Sequence, residues 1–238
     1  KTLGEAFEAY FQSAIEPNYK PRSATSVRGL FARHTRELRE RPVMSITTAD
    51  FSTLLSRLSH TPSEANHLYK VVAAFFRHAV QHGVVVASPI TFPKPYKEVS
   101  RERVLTDAEL IAVHRAAVEI GHPFGYMVLL CIHCAFRIGE VAGMKWSYIT
   151  KDYITIPAEV YKTGREHIVP NLHGENFALI PKTSEYLFPT HRGTPYVSFS
   201  HFKRDLDKLS GVTGWTLHDL RRTFSSKCAE WQIASPDI

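Results

Sequence analysis

The stretch PFGYMVLLCIHCAFRIGEVAGMKW, residues 123–146, decides the fold of the second half of this chain. Its first part is apolar on every side, which is typical of a helix buried in a core. Arg137 and Glu140 follow three residues apart, in a second short helical segment. After Trp146 the hydrophobic period changes, and SYITKDYITIP and EHIVP predict strands with KTG as the turn between them. The stretch therefore predicts a helical domain that carries a small antiparallel sheet.

Helical patterns return after the predicted strands. SFSHFKRDLDKLSG and TLHDLRRTFSSKCAEWQ both have the helical period, and we expect Trp231 to lie in the core at the end of the second helix. On that helix His218 and Arg221 are neighbours at the edge of an apolar stripe, whereas Arg222 points elsewhere. Upstream, Thr106 with Glu109 forms the S/T-x-x-E capping box of a further helix.

The first part of the chain predicts a bundle of about four helices. Ser23 is a candidate N-cap of the second helix, Thr47 or Thr48 caps the third, and Gly83 ends the fourth. A stretch with three prolines and clustered charges follows, which is typical of a linker. We therefore expect a mainly α chain with a helical domain at 1–90, a linker at 91–104 and a mixed α+β domain at 105–238.

The net positive charge of the chain comes entirely from its first part. Residues 1–103 carry 15 Lys and Arg against 9 Asp and Glu, whereas residues 104–238 carry 14 of each. A basic module joined to a neutral one indicates an acidic partner, of which nucleic acid is the commonest, although a basic surface that serves solubility is the alternative.

Several classes of protein are excluded or weakened. No run of eighteen apolar residues exists, which excludes a membrane-spanning helix, and the start of the chain lacks the apolar core of a signal peptide. Cys131 and Cys134 have a spacing that suits zinc, but they lie in an apolar helical run, so a buried structural pair is favoured over a zinc-dependent module. The three cysteines fit a reducing compartment.

Cations that could meet a phosphate lie at three places. Arg137 is suited to a phosphate because its planar fork donates two parallel hydrogen bonds, and Glu140 could hold that fork in position. Lys162 lies at the start of the predicted turn, and His218 and Arg221 lie on the late helix. Each of these residues alone is also explained by an ordinary surface position.

Together, however, the motifs resemble the tyrosine recombinase family, also called the phage integrases. The matching segments are AFRIGEVAGMKWSYI, YKTGREHIVP and WTLHDLRRTFSS, in the family's order. The resemblance covers nearly the whole chain, because the basic first module resembles the family's core-binding domain, a SAM-like DNA-binding domain. The remainder resembles the catalytic domain.

The resemblance implies a site-specific recombinase that cuts and rejoins DNA strands through a 3′-phosphotyrosyl intermediate, and so integrates or excises a phage or genomic island. Arg137 and Arg221 would stabilise the charge on the scissile phosphate. Lys162 would protonate the leaving 5′-oxygen, and His218 would hydrogen-bond the phosphate or assist proton transfer. Glu140 would support the first arginine. The resemblance implies no metal and no other cofactor.

The implied partners are attachment or core sites in double-stranded DNA and further copies of the protein in a synaptic tetramer. DNA-bending accessory proteins belong to the same expectation, as do the absence of a membrane and a place in the bacterial cytoplasm at the nucleoid.

The sequence departs from the family at one point. The family's nucleophilic tyrosine follows the late helix, but no tyrosine follows Tyr196. The last residues resemble the start of a helix, with Ser235, Pro236 and Asp237 at its first positions. We therefore expect a chain truncated before its nucleophile and unable by itself to cleave DNA covalently. A catalytically inactive DNA-binding regulator is the alternative, and a chromosome-dimer or integron recombinase is another.

Overall fold

The structure, a computed structural model, describes residues 1–98, 101–161 and 164–232. The chain divides into two compact units, Lys1–Ser100 and Arg101–Ile238. No described helix is long and apolar enough to cross a membrane.

The first unit is helical. Its described helices are α1 (Leu3–Tyr10, continued as a π-helix over Phe11–Ile15), α2 (Pro21–His34), α3 (Thr48–Ser56) and α4 (Pro62–Gln81). Thr47 caps α3, and Gly83, at a φ of +67°, follows the end of α4, as predicted. The Ser23 prediction was wrong, because α2 already begins at Pro21, whose fixed φ suits the first turn of a helix.

Aromatic side chains fill the core of this unit. Phe7 stacks on Phe31 with ring centroids 3.5 Å apart, and the edge of Phe75 meets both rings. The predicted linker also packs here, since Tyr96 donates its backbone N–H to the Asn66 side chain at 3.1 Å. Residues 91–98 are therefore ordered on the first unit rather than extended away from it.

The second unit holds the sheet. Its described helices are α5 (Asp107–Ile120), α6 (Phe124–Cys134), α7 (Ile138–Ala142), α8 (Gly174–Ala178), α9 (Ser200–Ser210) and α10 (Leu217–Glu230). The strands β1 (Tyr153–Ile156) and β2 (His167–Pro170) pair antiparallel, with Ile154 opposite Val169. The predicted fold class, mainly α with a small antiparallel sheet, is confirmed.

Helix α6 lies at the centre of this unit because nearly all of its side chains are apolar. It packs against α5 and α10. At Gly125 a Cβ would lie only 2.0 Å from the carbonyl oxygen of Ala117, so only glycine permits this approach of α5 and α6. The predicted capping box of α5 is confirmed, with Glu109 accepting from the Thr106 backbone at 2.8 Å.

Three further predictions need correction or stay open. The connection between the strands is longer than a tight turn, because β1 ends at Ile156 and β2 begins at His167. Trp231 is 68% exposed at the end of α10 rather than part of the core, because the helix ends there and none of the described elements covers the ring. The predicted helix start at 235–237 lies outside the described residues.

Candidate active site

The connection between α6 and α7 positions the first arginine. Ala135 ends α6 in the left-handed conformation, with a φ of +54°. This turn ends α6, and Arg137, two residues later, is the N-cap of α7. The short helix thus begins at the predicted Arg-x-x-Glu motif.

Glu140 holds Arg137 from two sides. One carboxylate oxygen accepts from the Arg137 backbone N–H at 2.9 Å, and the other accepts from the guanidinium Nη1 at 2.6 Å. Burial lowers the pKa of Arg137, but the hydrogen bond and charge of Glu140 outweigh that effect and raise it. The guanidinium is therefore permanently charged and fixed in direction.

The first turns of α10 direct the side chains of Arg221 and Arg222 to different partners. The buried Asp219 accepts from the backbone N–H and hydroxyl of Thr216 at 2.8 and 2.9 Å, which closes the first turn of the helix. The same carboxylate accepts from Arg222 Nη1 at 2.8 Å and so draws this arginine away. His218 is the more exposed of the two site residues on α10, and Arg221, one turn later, is buried.

Arg221 reaches the end of α6. Its Nη1 donates to the carbonyl of Ala135 at 2.6 Å, and its Nη2 lies 3.5 Å from the hydroxyl of Tyr161. The Arg137 guanidinium carbon lies 5.4 Å from the centroid of the same phenol ring. Two guanidinium groups from separate helices therefore meet at one buried tyrosine.

Three nearby arginines also act on His218. Partial burial lowers the pKa of His218, and the positive charges of Arg222, Arg137 and Arg221 lower it further. This shift favours the neutral imidazole, in which one ring nitrogen can donate a hydrogen bond and the other can accept a proton. Two fixed cations beside a neutral imidazole form a site suited to an oxyanion such as a phosphodiester.

A sequence profile of the phage integrase family matches residues 106–238, which is more than half of the chain. The chain belongs to the phage integrase family. The integrase chain is 27% identical over 213 residues to prophage integrase IntZ of Escherichia coli K12, covering 84% of this chain and 53% of IntZ. It is 24% identical over 171 residues to the integrase of Escherichia phage HK022, covering 71% of this chain and 47% of that integrase. It thus spans about half the length of these relatives.

Solved integrase structures share its fold. A lambda integrase dimer bound to a COC' core site matches with a TM-score of 0.79 and 22% identity, over 98% of this chain and 92% of that one. A lambda integrase tetramer bound to a Holliday junction matches with a TM-score of 0.79 and 23% identity, over 99% of this chain and 75% of that one. Identities this low show the fold alone.

The predicted site residues of the integrase chain fall into two groups. Arg137, Glu140, His218 and Arg221 come together from α7 and α10. Lys162 lies outside the described residues, directly after Tyr161.

Three contributors were missed by sequence reasoning. They are the Ala135 carbonyl, the Tyr161 ring and the buried Asp219 carboxylate. Two of them carried a signal in the sequence, because Tyr161 directly precedes the predicted lysine and Asp219 lies three residues after Thr216. The carbonyl carried none, since every residue has one.

A histidine pair lies beside this site. His133 on α6 lines an apolar groove that also includes Cys134, Arg221 and Phe224. Its Nδ1 is 3.0 Å from Nε2 of the buried His173, so the two rings share one hydrogen bond. Cys131 and Cys134 are also buried, and neither forms a disulfide. Within residues 1–98, 101–161 and 164–232, no group of three or more His, Cys, Asp or Glu side chains is arranged to hold a metal ion.

The histidine pair predicts that stability falls in mild acid. Burial first, and then the charges of His173 and His114, lower the pKa of His133 from its ordinary 6.5 to about 4. His133 binds a proton more weakly in the folded state than in the unfolded state. Above pH 6.5 both states leave it neutral and the folded state keeps its full stability, which is then lost as the pH falls from 6.5 towards 4. We expect the free energy of unfolding to fall by about 1–2 kcal/mol between pH 7.5 and 5, after allowance for partial exposure.

Urea unfolding at the two pH values measures this loss. His133→Gln should flatten the pH dependence, whereas His191→Gln, at an exposed loop position, should leave it unchanged. A wild-type profile that is the same at both pH values, or that His133→Gln does not alter, would contradict the prediction.

Proposed function

We propose that this chain is the DNA-binding and phosphate-clamping part of a site-specific tyrosine recombinase. The observation that carries the proposal is the convergence of Arg137 and Arg221 on Tyr161, with His218 close enough to feel their charge. Pairs of fixed guanidinium groups suit the two non-bridging oxygens of a phosphodiester, where charge accumulates during attack. The reaction would be carried out by a longer protein that includes this chain, which we call the parent.

In the proposed reaction, a tyrosine oxygen of the parent attacks the scissile phosphorus. The bond from phosphorus to the 5′-oxygen breaks, a 3′-phosphotyrosyl bond forms, and a free 5′-hydroxyl leaves. Lys162 supplies the proton that the 5′-oxygen needs. His218 hydrogen-bonds the phosphate or takes part in proton transfer, and the proton of the attacking tyrosine passes to His218 or to solvent. The reaction needs no metal because the arginines balance the charge. Rejoining reverses these steps on a different 5′-end.

The substrate we propose is double-stranded DNA at attachment or core sites. The first unit supplies the basic surface, since residues 1–100 carry 13 Lys and Arg against 8 Asp and Glu. Solved neighbours are a dimer bound to a core site and a tetramer bound to a Holliday junction, which supports a synaptic tetramer for the parent. Such an enzyme would integrate or excise a phage or genomic island, at the bacterial nucleoid, with DNA-bending proteins as accessory partners.

The nucleophile is proposed to lie outside these 238 residues. No tyrosine follows Tyr196, which is in a loop with its ring edge-on to Phe202 at 5.6 Å. An oriented nucleophile gains many orders of magnitude over a loosely held one, so a misplaced tyrosine should not substitute. The chain alone should therefore bind DNA without becoming linked to it.

Two measurements test the proposal. Anisotropy titrations of this chain with duplex DNA should show affinity that falls steeply with salt, by about 10³-fold from 50 to 200 mM if about six phosphates are contacted. Nicked suicide substrates, analysed on denaturing gels, should give a DNA-linked band with the parent and none with this chain.

Other outcomes identify the alternatives. A parent that binds DNA but forms no linked band would be an inactive regulator, and the recombinase proposal would fail. A linked band from this chain would show that the nucleophile lies within it, with Tyr196 the first residue to mutate.

A further inference from the structure

Tyr161 contacts both arginines of the site, although it lies in neither of the two segments that contain them. Its hydroxyl lies 3.5 Å from Nη2 of Arg221, and its ring lies under the Arg137 guanidinium at 5.4 Å. The side chain is 5% exposed, so the phenol is shielded from an incoming DNA strand. The phenol is therefore placed to support the two arginines and not to attack the phosphodiester.

The phenol ring is itself fixed from behind. It stacks on His167 of β2 with centroids 4.7 Å apart and an interplanar angle of 8°, and the edge of His167 meets Phe136. The Tyr161 backbone N–H donates to the carbonyl of Pro157 at 3.0 Å. The ring is thus held between the sheet and the arginine pair.

The chemistry of a phenol suits this position. Two guanidinium groups repel each other. Arg137 is paired with the Glu140 carboxylate, whereas the hydrogen bonds described above for Arg221 go to an uncharged carbonyl and a phenol. The negative face of the ring attracts Arg137, while the phenol oxygen can accept from Arg221. One side chain therefore offsets the repulsion without presenting a charge that would compete with phosphate.

We infer that Tyr161 is a positioning residue, which holds Arg137 and Arg221 as a preorganised pair directed at one phosphate. The inference rests on the proposed function. It assigns no bond-making role to the phenol, which acts only through the two arginines.

The test compares Tyr161→Phe and Tyr161→Leu with the wild-type parent in single-turnover cleavage at saturating DNA. Phenylalanine keeps the ring and loses the hydroxyl, so cleavage should slow by about threefold to tenfold. Leucine also removes the cation–π contact, so the loss should reach about 30-fold. DNA affinity should stay within about twofold, because the basic first unit supplies most phosphate contacts. Tyr153→Phe, on the exposed face of β1, is the matched control and should cleave normally.

A neutral substrate separates positioning from general damage. A methylphosphonate at the scissile position replaces one charged oxygen with a methyl group, so the arginine pair has less charge to stabilise. The Tyr161→Leu defect should then shrink to within about threefold. A variant that is merely misfolded would keep the same defect on both substrates, and that result would overturn the inference.

The remaining outcomes are also distinguishable. Wild-type cleavage together with normal cleavage by Tyr161→Leu would overturn the inference and leave the proposed function intact. A wild-type parent that cleaves neither substrate would overturn the proposed function, and the inference would fall with it.

Discussion

In the parent, Arg221→Ala should slow DNA cleavage by about 100-fold or more while DNA binding changes by less than about threefold. Arg221 is one of two cations that we propose to face the non-bridging oxygens, where charge is greatest in the transition state. Removing one preorganised donor from such a site costs about 3 kcal/mol in the barrier. Many cations of the first unit remain to contact the DNA backbone, so the loss falls on the rate rather than on affinity.

The measurement is single-turnover cleavage with a parallel anisotropy titration. The substitution also leaves the Ala135 carbonyl without its 2.6 Å donor, so the unfolding midpoint must be measured on the same sample. Arg115→Ala, at an exposed position on α5, is the matched control and should cleave at the wild-type rate. Arg137→Ala should behave like Arg221→Ala. Cleavage by either arginine variant within a factor of about two of wild type would remove the assignment.

Lys162→Ala should slow cleavage of ordinary DNA by about 100-fold or more, but should hardly affect DNA with a 5′-bridging phosphorothiolate. The leaving 5′-oxygen needs a proton, whereas sulfur is a good leaving group that needs none. Lys162 lies outside the described residues, so this prediction rests on the resemblance and on its place directly after Tyr161.

The two substrates supply the contrast within one variant. Lys151→Ala, exposed next to β1, controls for the loss of a positive charge near the same hairpin and should affect neither substrate. Equal defects of Lys162→Ala on both substrates would show that this lysine contacts phosphate or supports the loop rather than acting as the acid.

Local signals in the sequence predicted the helices well. The capping pair Thr106 and Glu109 and the apolar run that became α6 were correct because their causes lie within a few residues of chain. The wrong predictions depend on residues that lie farther away along the chain. Trp231 follows the apolar period of α10, but burial depends on whether another element covers it, and none of the described elements does so.

The candidate site shows the same contrast between features with local causes and features that depend on tertiary packing. Arg137, His218 and Arg221 could be nominated because the segments that carry them resemble the motifs of one family, in the family's order. The contacts that hold them could not, since Arg221 meets a carbonyl at the end of another helix and both arginines meet a tyrosine before the strand β2. Such contacts depend on tertiary packing, which no spacing along the chain encodes.

The left-handed turn at Ala135 has a consequence for how this site changes during evolution. The group that Arg221 contacts most closely belongs to the backbone, so a mutation at codon 135 alters the side chain and keeps the oxygen. Variation there is limited by the positive φ and the small buried space, which leave glycine and a few small residues as acceptable replacements. Related chains can therefore differ at this position and still retain the same anchor. Comparison of their side chains alone would not reveal it.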